Sequence, residues 1–404
     1  MSRQENIRKD KNEIAPNVYY VGMQNPGMRN FDIIMYTDYG TTYNSFLILG
    51  EKNVLIETVH DTYKREFIEK IEEYIPISQL DYVILNHTEP DHSGSLSELL
   101  AIKPDLLVIA TSAAIKNLGH IMNSTFQSQV VKQGDTLEIG DGKKLEFIIA
   151  PNLHWPDTMF TYFEKEQILF SCDMFGCHYC EPVIFDFQLK RADRYEAEIK
   201  YYFDCIFSPF PKFVKDGLEK IKNLEIKMIC CSHGPVLKIG IEKTIALYKE
   251  WSIPQDTGTN AAIFYVSAYG YTAIIAEMIK NQMMEKGISV AAYDLLSIPE
   301  EKAVALMKSA DILCFGSPTI NGDALEPVWN LINKTVVPLA KGKLALVFGS
   351  YGWSGEACQF LNDRLKALRY HVFPENIRIQ FKPSEDELNK GKEIVDRFLD
   401  SQKE

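Results

Sequence analysis

Basic residues are too few in this sequence, and too scattered, to form a nucleic-acid surface. Lys and Arg total 43 against 55 Asp and Glu, a formal net charge of −12, whereas phosphate contacts need basic side chains clustered on one face. An apolar leader is also missing: residues 1–13 are crowded with charge, so neither a secretory signal nor a membrane anchor is expected there, and a cytoplasmic location follows. The eight cysteines are spread through 404 residues without the framework of a small disulfide-stapled scaffold, so reduced thiols are expected. Internal repeats and low-complexity tracts are lacking. What remains is an acidic, fully globular protein too long for one ordinary core, which points to two or three domains.

The first part reads as short β-rich runs at residues 18–21, 45–49 and 53–56, then a helical span over 64–74. An almost continuous apolar run at 80–85 suits a buried strand and ends where a dense polar cluster begins. Further strands are expected at 106–110, 144–149, 167–171 and 226–231, with helices over 194–202, 213–222 and 238–251. Residues 252–259 are rich in breakers and poor in large apolar side chains, which sets a linker between domains at 1–252 and 260–404. Beyond it, strands at 261–266, 289–294, 312–315 and 344–348 alternate with helices, the pattern of an α/β doubly wound parallel sheet.

Directly after the 80–85 run, His87, Glu89, Asp91 and His92 place four potential metal ligands within six residues. Crowded carboxylates repel one another and lose hydration, and a cation pair compensates both costs; a solvated acidic turn is the bland alternative. His154, Asp173 and His233 each stand where a strand is expected to end. Together these segments resemble the metallo-β-lactamase superfamily, whose αββα sandwich gathers ligands around a two-metal site. Zinc hydrolases of that kind carry a second His where this chain has Glu89, and exchanging imidazole for carboxylate hardens the site in favour of iron.

In the second half, three loops follow strands of the parallel sheet. They comprise Ser267, Ala268, Tyr269, Gly270, Tyr271 and Thr272; then residues 316–322, with Pro318, Thr319, Ile320 and Asn321; then residues 349–355, with Ser350, Tyr351, Gly352, Trp353, Ser354 and Gly355. The first opens a helix, where backbone N–H groups and hydroxyls can hold a phosphate, and all three border the crevice of such a sheet. Their order resembles flavodoxin.

Over nearly the whole chain after residue 15, including the stretch Gly40 to Asn44, the sequence resembles the flavodiiron proteins. That resemblance implies a soluble FMN- and diiron-dependent oxidoreductase that reduces dioxygen to water and/or nitric oxide to nitrous oxide. His87, Glu89 and His154 would ligate the iron nearer the flavin, Asp91, His92 and His233 the other, and Asp173 would bridge both. Residues 267–272 would bind the FMN phosphate, 318–321 would border the isoalloxazine, and 351–355, with Trp353 as ring neighbour, would line its other side. A head-to-tail homodimer or dimer of dimers is implied, as is a separate electron donor such as rubredoxin or a reduced deazaflavin. Only Cys177 and Cys180 have the Cys-x-x-Cys spacing, and a fused rubredoxin needs two such pairs. Where some relatives carry His after an R-x-F stretch, this chain has Asp32. His178 is a candidate pocket residue, and Cys172, Cys177 and Cys180 are expected as free thiols rather than a zinc or redox cluster. Two other readings are a binuclear zinc hydrolase fused to a flavodoxin-like domain, and an electron-transfer or gas-sensing module that hardly turns over.

Overall fold

Residues 11–32, 35–253 and 260–401 are described in the computed structural model. The chain divides into two compact units, Met1–Pro254 and Gln255–Glu404. Most of the breaker-rich stretch 252–259 lies outside the described residues, as do residues 1–10.

In the first unit a seven-stranded and a five-stranded sheet share one core. Strand periodicity explains the layering, because successive side chains point to opposite faces. Phe46, Ile48, Val54 and Ile56 pack between the sheets against Phe147, Phe163 and Phe170. Their neighbours Leu47 and Leu55 belong to a second core that includes Phe67 and Ile71 of helix Lys64–Glu72. Helices therefore cover the outer faces, giving an αββα sandwich. Three consecutive strands, Val54–Ile56, Tyr82–Ile84 and Leu107–Ala110, run parallel, and their C-terminal ends open on the same edge. The fully buried strand Met159–Phe163 goes beyond the elements expected from sequence. Its one hydroxyl-bearing inward residue, Thr161, donates to Asn86 Oδ1 at 2.7 Å, so a polar residue that weakens the apolar pattern is satisfied inside the core.

The second unit is a six-stranded, all-parallel sheet in which Asn260–Tyr265 lies between Ser289–Asp294 and Ile312–Gly316, followed by Leu344–Tyr351. This is the flavodoxin-like order, with its topological switch point beside the first strand. Helices Tyr271–Glu285 and Glu385–Asp400 cover one face. Residues Ala303, Val328 and Leu361 come from helices packed on the other. One expectation needs correcting. The fourth strand does not end at 348 but continues through Tyr351, because Gly349, Ser350 and Tyr351 pair with Arg378, Ile379 and Gln380 of strand Ile377–Gln380.

Candidate functional site

Each candidate ligand of the first unit sits just past a strand. After Tyr82–Ile84, Glu89 precedes a short helix, Pro90–Ser93, whose first residue is proline; the missing proline N–H costs nothing at that position. This turn places Asp91 and His92 one helical step from Glu89. At the end of Ile168–Cys172 the backbone of Cys172 adopts φ +54°, and Asp173 follows it. Non-glycine residues at positive φ recur nearby, at Glu57 and Asn152, as is common where a site over-determines its backbone.

The seven candidate ligands form two groups. In the first, Glu89 Oε2 lies 3.2 Å from His87 Nε2 and 3.1 Å from His154 Nε2. In the second, Asp91 Oδ1 is 3.3 Å from His92 Nε2, and Asp91 Oδ2 is 3.1 Å from His233 Nε2. Asp173 stands between them. Its Oδ2 is 3.5 Å from His154 Nε2, while its Oδ1 is 3.2 Å from His92 Nε2 and 3.5 Å from His233 Nε2.

The residues fit a metal pair. Donors bound at about 2.0–2.2 Å around one ion stand roughly 3.0–3.6 Å from each other, which is the spacing of the carboxylate–imidazole pairs just given. Asp91 Oδ1 and Oδ2 and His92 Nε2 are buried with no hydrogen-bond partner, a cost that a cation removes. Four imidazoles and three carboxylates without a thiolate make a hard donor set suited to iron. Burial pushes the Asp173 carboxyl up, but the His92 and His154 imidazoles overcome it and hold the group well below the carboxylate range. For His154 burial works downward, and Asp173 and Glu89 outweigh it, raising the imidazole to about 10.

Partners remote in sequence aim the ligands. His87 Nδ1 is 3.1 Å from Asp157 Oδ1, and Asp157 Oδ2 accepts the Thr88 N–H at 2.9 Å. His233 Nδ1 donates to the Thr42 carbonyl at 2.6 Å. With Nδ1 engaged, Nε2 of each ring is the atom turned to the cluster. Asn44 Nδ2 ties the same loop through the carbonyls of Cys231 (2.7 Å) and Gly234 (2.8 Å), which gives the 40–44 stretch a physical role. Tyr202 Oη donates to Asp173 Oδ1 at 3.2 Å. Glu57 is buried, accepts the Asn86 N–H at 2.9 Å, and is pushed up to about 8 by burial. Sequence reasoning missed Asp157, Glu57, Thr42 and Tyr202 as parts of the site; the Asp at the end of the His154 segment was the one visible signal.

His178 joins the site. Its ring stacks on Phe31 at 4.1 Å and lies 4.8 Å from the His233 ring, with Nδ1 2.8 Å from Thr41 Oγ1 and Nε2 buried without a partner. Burial, with His233 beside it, holds His178 well below the ordinary imidazole range, so it is neutral. Asp32 also faces the cluster; burial, then Glu89 and Asp91, raise its carboxyl. Cys172 and Cys177 are buried and unpaired, Cys180 is half-buried and unpaired, and none of them joins either metal group among the described residues.

In the second unit a cavity of about 500 Å³ is lined by Ala268, Tyr269 and Tyr271, by Pro318 to Gly322, and by Ser350 to Ser354. The three expected loops thus meet at one cleft. Ser267, Gly270, Thr272 and Gly355 do not line it. Ser267 Oγ accepts the Ala273 N–H at 3.2 Å, and the Thr272 and Ser350 hydroxyls bond at 2.8 Å, joining the first loop to the third. Phe381 lines the cleft without having been anticipated. The walls fit a flat aromatic cofactor with a phosphate tail: Tyr269, Tyr351 and Trp353 supply rings, and helix Tyr271–Glu285 points its N-terminus toward the loop that opens it.

Residues 41–234 match the model of the ODP family beta lactamase, and residues 263–393 match that of flavodoxin. The flavo-diiron protein FprA2 of Clostridium acetobutylicum is 43% identical, the match covering 96% of this chain and 99% of the relative. This chain belongs to the flavodiiron protein family. The type A flavoprotein fprA of Rhodobacter capsulatus is 35% identical, over 96% of this chain and 90% of that one. Two solved structures are similar across both units. The flavodiiron protein from Giardia intestinalis shows 29% identity and a TM-score of 0.68, covering 96% of each chain. The rubredoxin oxygen:oxidoreductase from Desulfovibrio gigas shows 25% identity and a TM-score of 0.69, covering 96% and 98%. As a family member the chain is an oxidoreductase with a diiron site and an FMN-carrying flavodoxin domain, which sets aside the zinc-hydrolase reading. Among the described residues, no helix is long and apolar enough to cross a membrane.

Proposed function

We propose that this flavodiiron protein reduces dioxygen to water and/or nitric oxide to nitrous oxide. His87, Glu89 and His154 would hold one iron, Asp91, His92 and His233 the other, and Asp173 would serve both. The observation that carries this reading is the placement of Asp173, each of whose two carboxylate oxygens faces a different ligand group. When bound, the iron pair and the flavin supply the electrons that reduce the gas.

The chain's own residues do the rest. Asp157 and the Thr42 carbonyl fix the rings of His87 and His233. Phe31, Trp155 and Phe207, ringed against His178, His87 and His154, keep bulk water from the site. His178, with Nδ1 engaged by Thr41, has Nε2 free to hold or pass a proton beside His233. The 318–322 and 350–354 walls would hold FMN, and the 267–272 loop would bind its phosphate.

The named activity of the Desulfovibrio gigas relative supports dioxygen as substrate and rubredoxin as the separate donor, with reduced deazaflavin as the second candidate. A head-to-tail homodimer, or a dimer of dimers, brings one chain's FMN to its partner's irons. Support comes from Tyr269 and Trp353, which are 84% and 94% exposed at the cleft, an arrangement that a partner would cover. Buried thiols such as Cys172, Cys177 and Cys314 suit the reducing cytoplasm.

Metal analysis and anaerobic stopped-flow reoxidation test the reading. Two irons and one FMN per chain, with rapid reoxidation by dioxygen or nitric oxide, are expected. A zinc-loaded protein whose reduced form ignores both gases would overturn it, and full activity in a dilute monomer would overturn the dimeric electron path.

A further inference from the structure

Among the described residues no charged side chain lines the flavin cleft, yet its cofactor carries a phosphate and gains negative charge on the ring when it is reduced. Behind the wall formed by residues 350–354 stands a cation, Arg378. Arg378 stands beside Gly349 in the parallel register of strand Ile377–Gln380. Its Cζ lies 5.4 Å from the centre of the Tyr351 ring, and Tyr351 is itself part of the cleft wall.

Gly355 shows that this position is built. Its φ of −161° lies outside the left-handed region, so no positive φ demands glycine there. Space does. A Cβ at 355 would fall 2.9 Å from Arg378 Nη2 and 3.3 Å from Cζ and Nε, within the volume the guanidinium occupies. The absence of a side chain lets the cation reach the backbone that follows the cleft wall.

Two hydrogen bonds hold the same wall to the strand that carries Arg378. Gln380 Nε2 donates to the Gly352 carbonyl at 2.6 Å, and the Phe381 N–H donates to the Tyr351 carbonyl at 2.8 Å. Among the described residues no carboxylate lies within ion-pair distance of Arg378. Glu356, half-buried at the start of the next helix, feels the guanidinium from beyond ion-pair distance. No direct ion pair therefore holds the guanidinium.

We infer that Arg378 tunes the reduction potential of the bound flavin, by placing a fixed positive charge behind the Ser350–Ser354 wall of the cleft. The inference rests on the reading of that cleft as the FMN site. Each electron from the external donor adds negative charge to the ring unless a proton follows it. A cation on one side favours the reduced, anionic form over the neutral oxidised form, and charge near the ring is among the means a protein has of tuning a flavin. The guanidinium suits the task because it stays protonated and can stack on an aromatic face.

The test is a spectroelectrochemical titration of the FMN-loaded full-length chain. Arg378→Gln is expected to weaken the preference for reduced flavin about tenfold, equal to a fall of about 59 mV for a one-electron step. Arg378→Lys, which keeps the charge, should stay within about threefold of the wild type. Gly355→Ala, whose methyl displaces the guanidinium, should shift the potential in the same direction as Arg378→Gln, and it decides the matter should the glutamine variant lose its flavin. An unchanged potential in Arg378→Gln and Gly355→Ala, or equal falls in the glutamine and lysine variants, would overturn the inference while leaving the cofactor assignment intact. A wild-type chain that takes up no FMN would overturn the cleft reading itself, and this inference with it.

Discussion

His87 and Asp157 meet at 3.1 Å between Nδ1 and Oδ1, both side chains fully buried and 70 positions apart in the chain. The carboxylate also takes the Thr88 N–H and hydroxyl, at 2.9 and 2.5 Å, so it is fixed from three sides and fixes the imidazole in turn. Partners of this kind set the tautomer and the aim of a metal-ligating histidine, and their loss typically lowers metal affinity 10–100-fold. Asp157→Asn should therefore lose iron by about that factor under chelator competition while keeping its FMN. Unchanged iron affinity would show that His87 is aimed by packing alone.

Removing the shared carboxylate should be more severe. Asp173→Ala and Glu89→Ala are each expected to abolish gas reduction with flavin content unchanged, because the affected groups lie in the first unit and the flavin cleft in the second. Activity assays with both gases, paired with flavin absorbance, check this. Full reductase activity in Glu89→Ala would contradict the ligand assignment.

The flavin unit offers a steric test. A Cβ at Gly349 would stand 2.2 Å from the backbone carbonyl oxygen of Ser317, and neither strand can move without disturbing the loops that line the cleft. Gly349→Ala should cost about 1–3 kcal/mol, the range of overpacking in a tight interior, together with weaker FMN binding. Denaturation of the full chain and FMN titration measure the two effects.

A pH effect is expected at Glu198, away from the metal groups. Burial, and then the Asp38 charge, raise its carboxyl to about 7 from an ordinary 4.5. The folded chain thus holds a proton that the unfolded chain has released between these values. Stability is unpenalised below pH 4.5 and declines as pH rises toward 7. The group is half-exposed and screened by solvent, so the penalty is on the order of 1 kcal/mol. Glu198→Gln should raise the unfolding temperature by about 2–4 °C at pH 8 and leave it unchanged near pH 4.5. Equal shifts at both pH values would point to packing rather than ionisation.

Both folds were legible where periodicity was clean. The parallel strands of the second unit, such as Ile312–Gly316, are continuous apolar runs, and burial on both faces leaves that mark in sequence. Boundaries set by pairing were not legible. Leu344–Tyr351 continues through Gly349 and Ser350, residues that suggest a loop, because strand Ile377–Gln380 pairs there. Met159–Phe163 was hidden for a related reason: Thr161 breaks the apolar pattern, and only its bond to Asn86 explains a hydroxyl in that position.

The site divides along the same line. Which donors are available is a property of side chains taken one at a time, so the acidic and imidazole character of the centre, and its bias toward iron, were set by composition at strand ends. Their division of labour was not. Asp173 acquires its place because one oxygen faces His154 and the other faces His92 and His233. Asp157, Thr42 and Tyr202 matter only through atoms that folding brings within hydrogen-bonding distance of a ligand. Coordination and hydrogen bonding act over a few ångströms of space, and the chain separates these residues by distances that only its tertiary path closes.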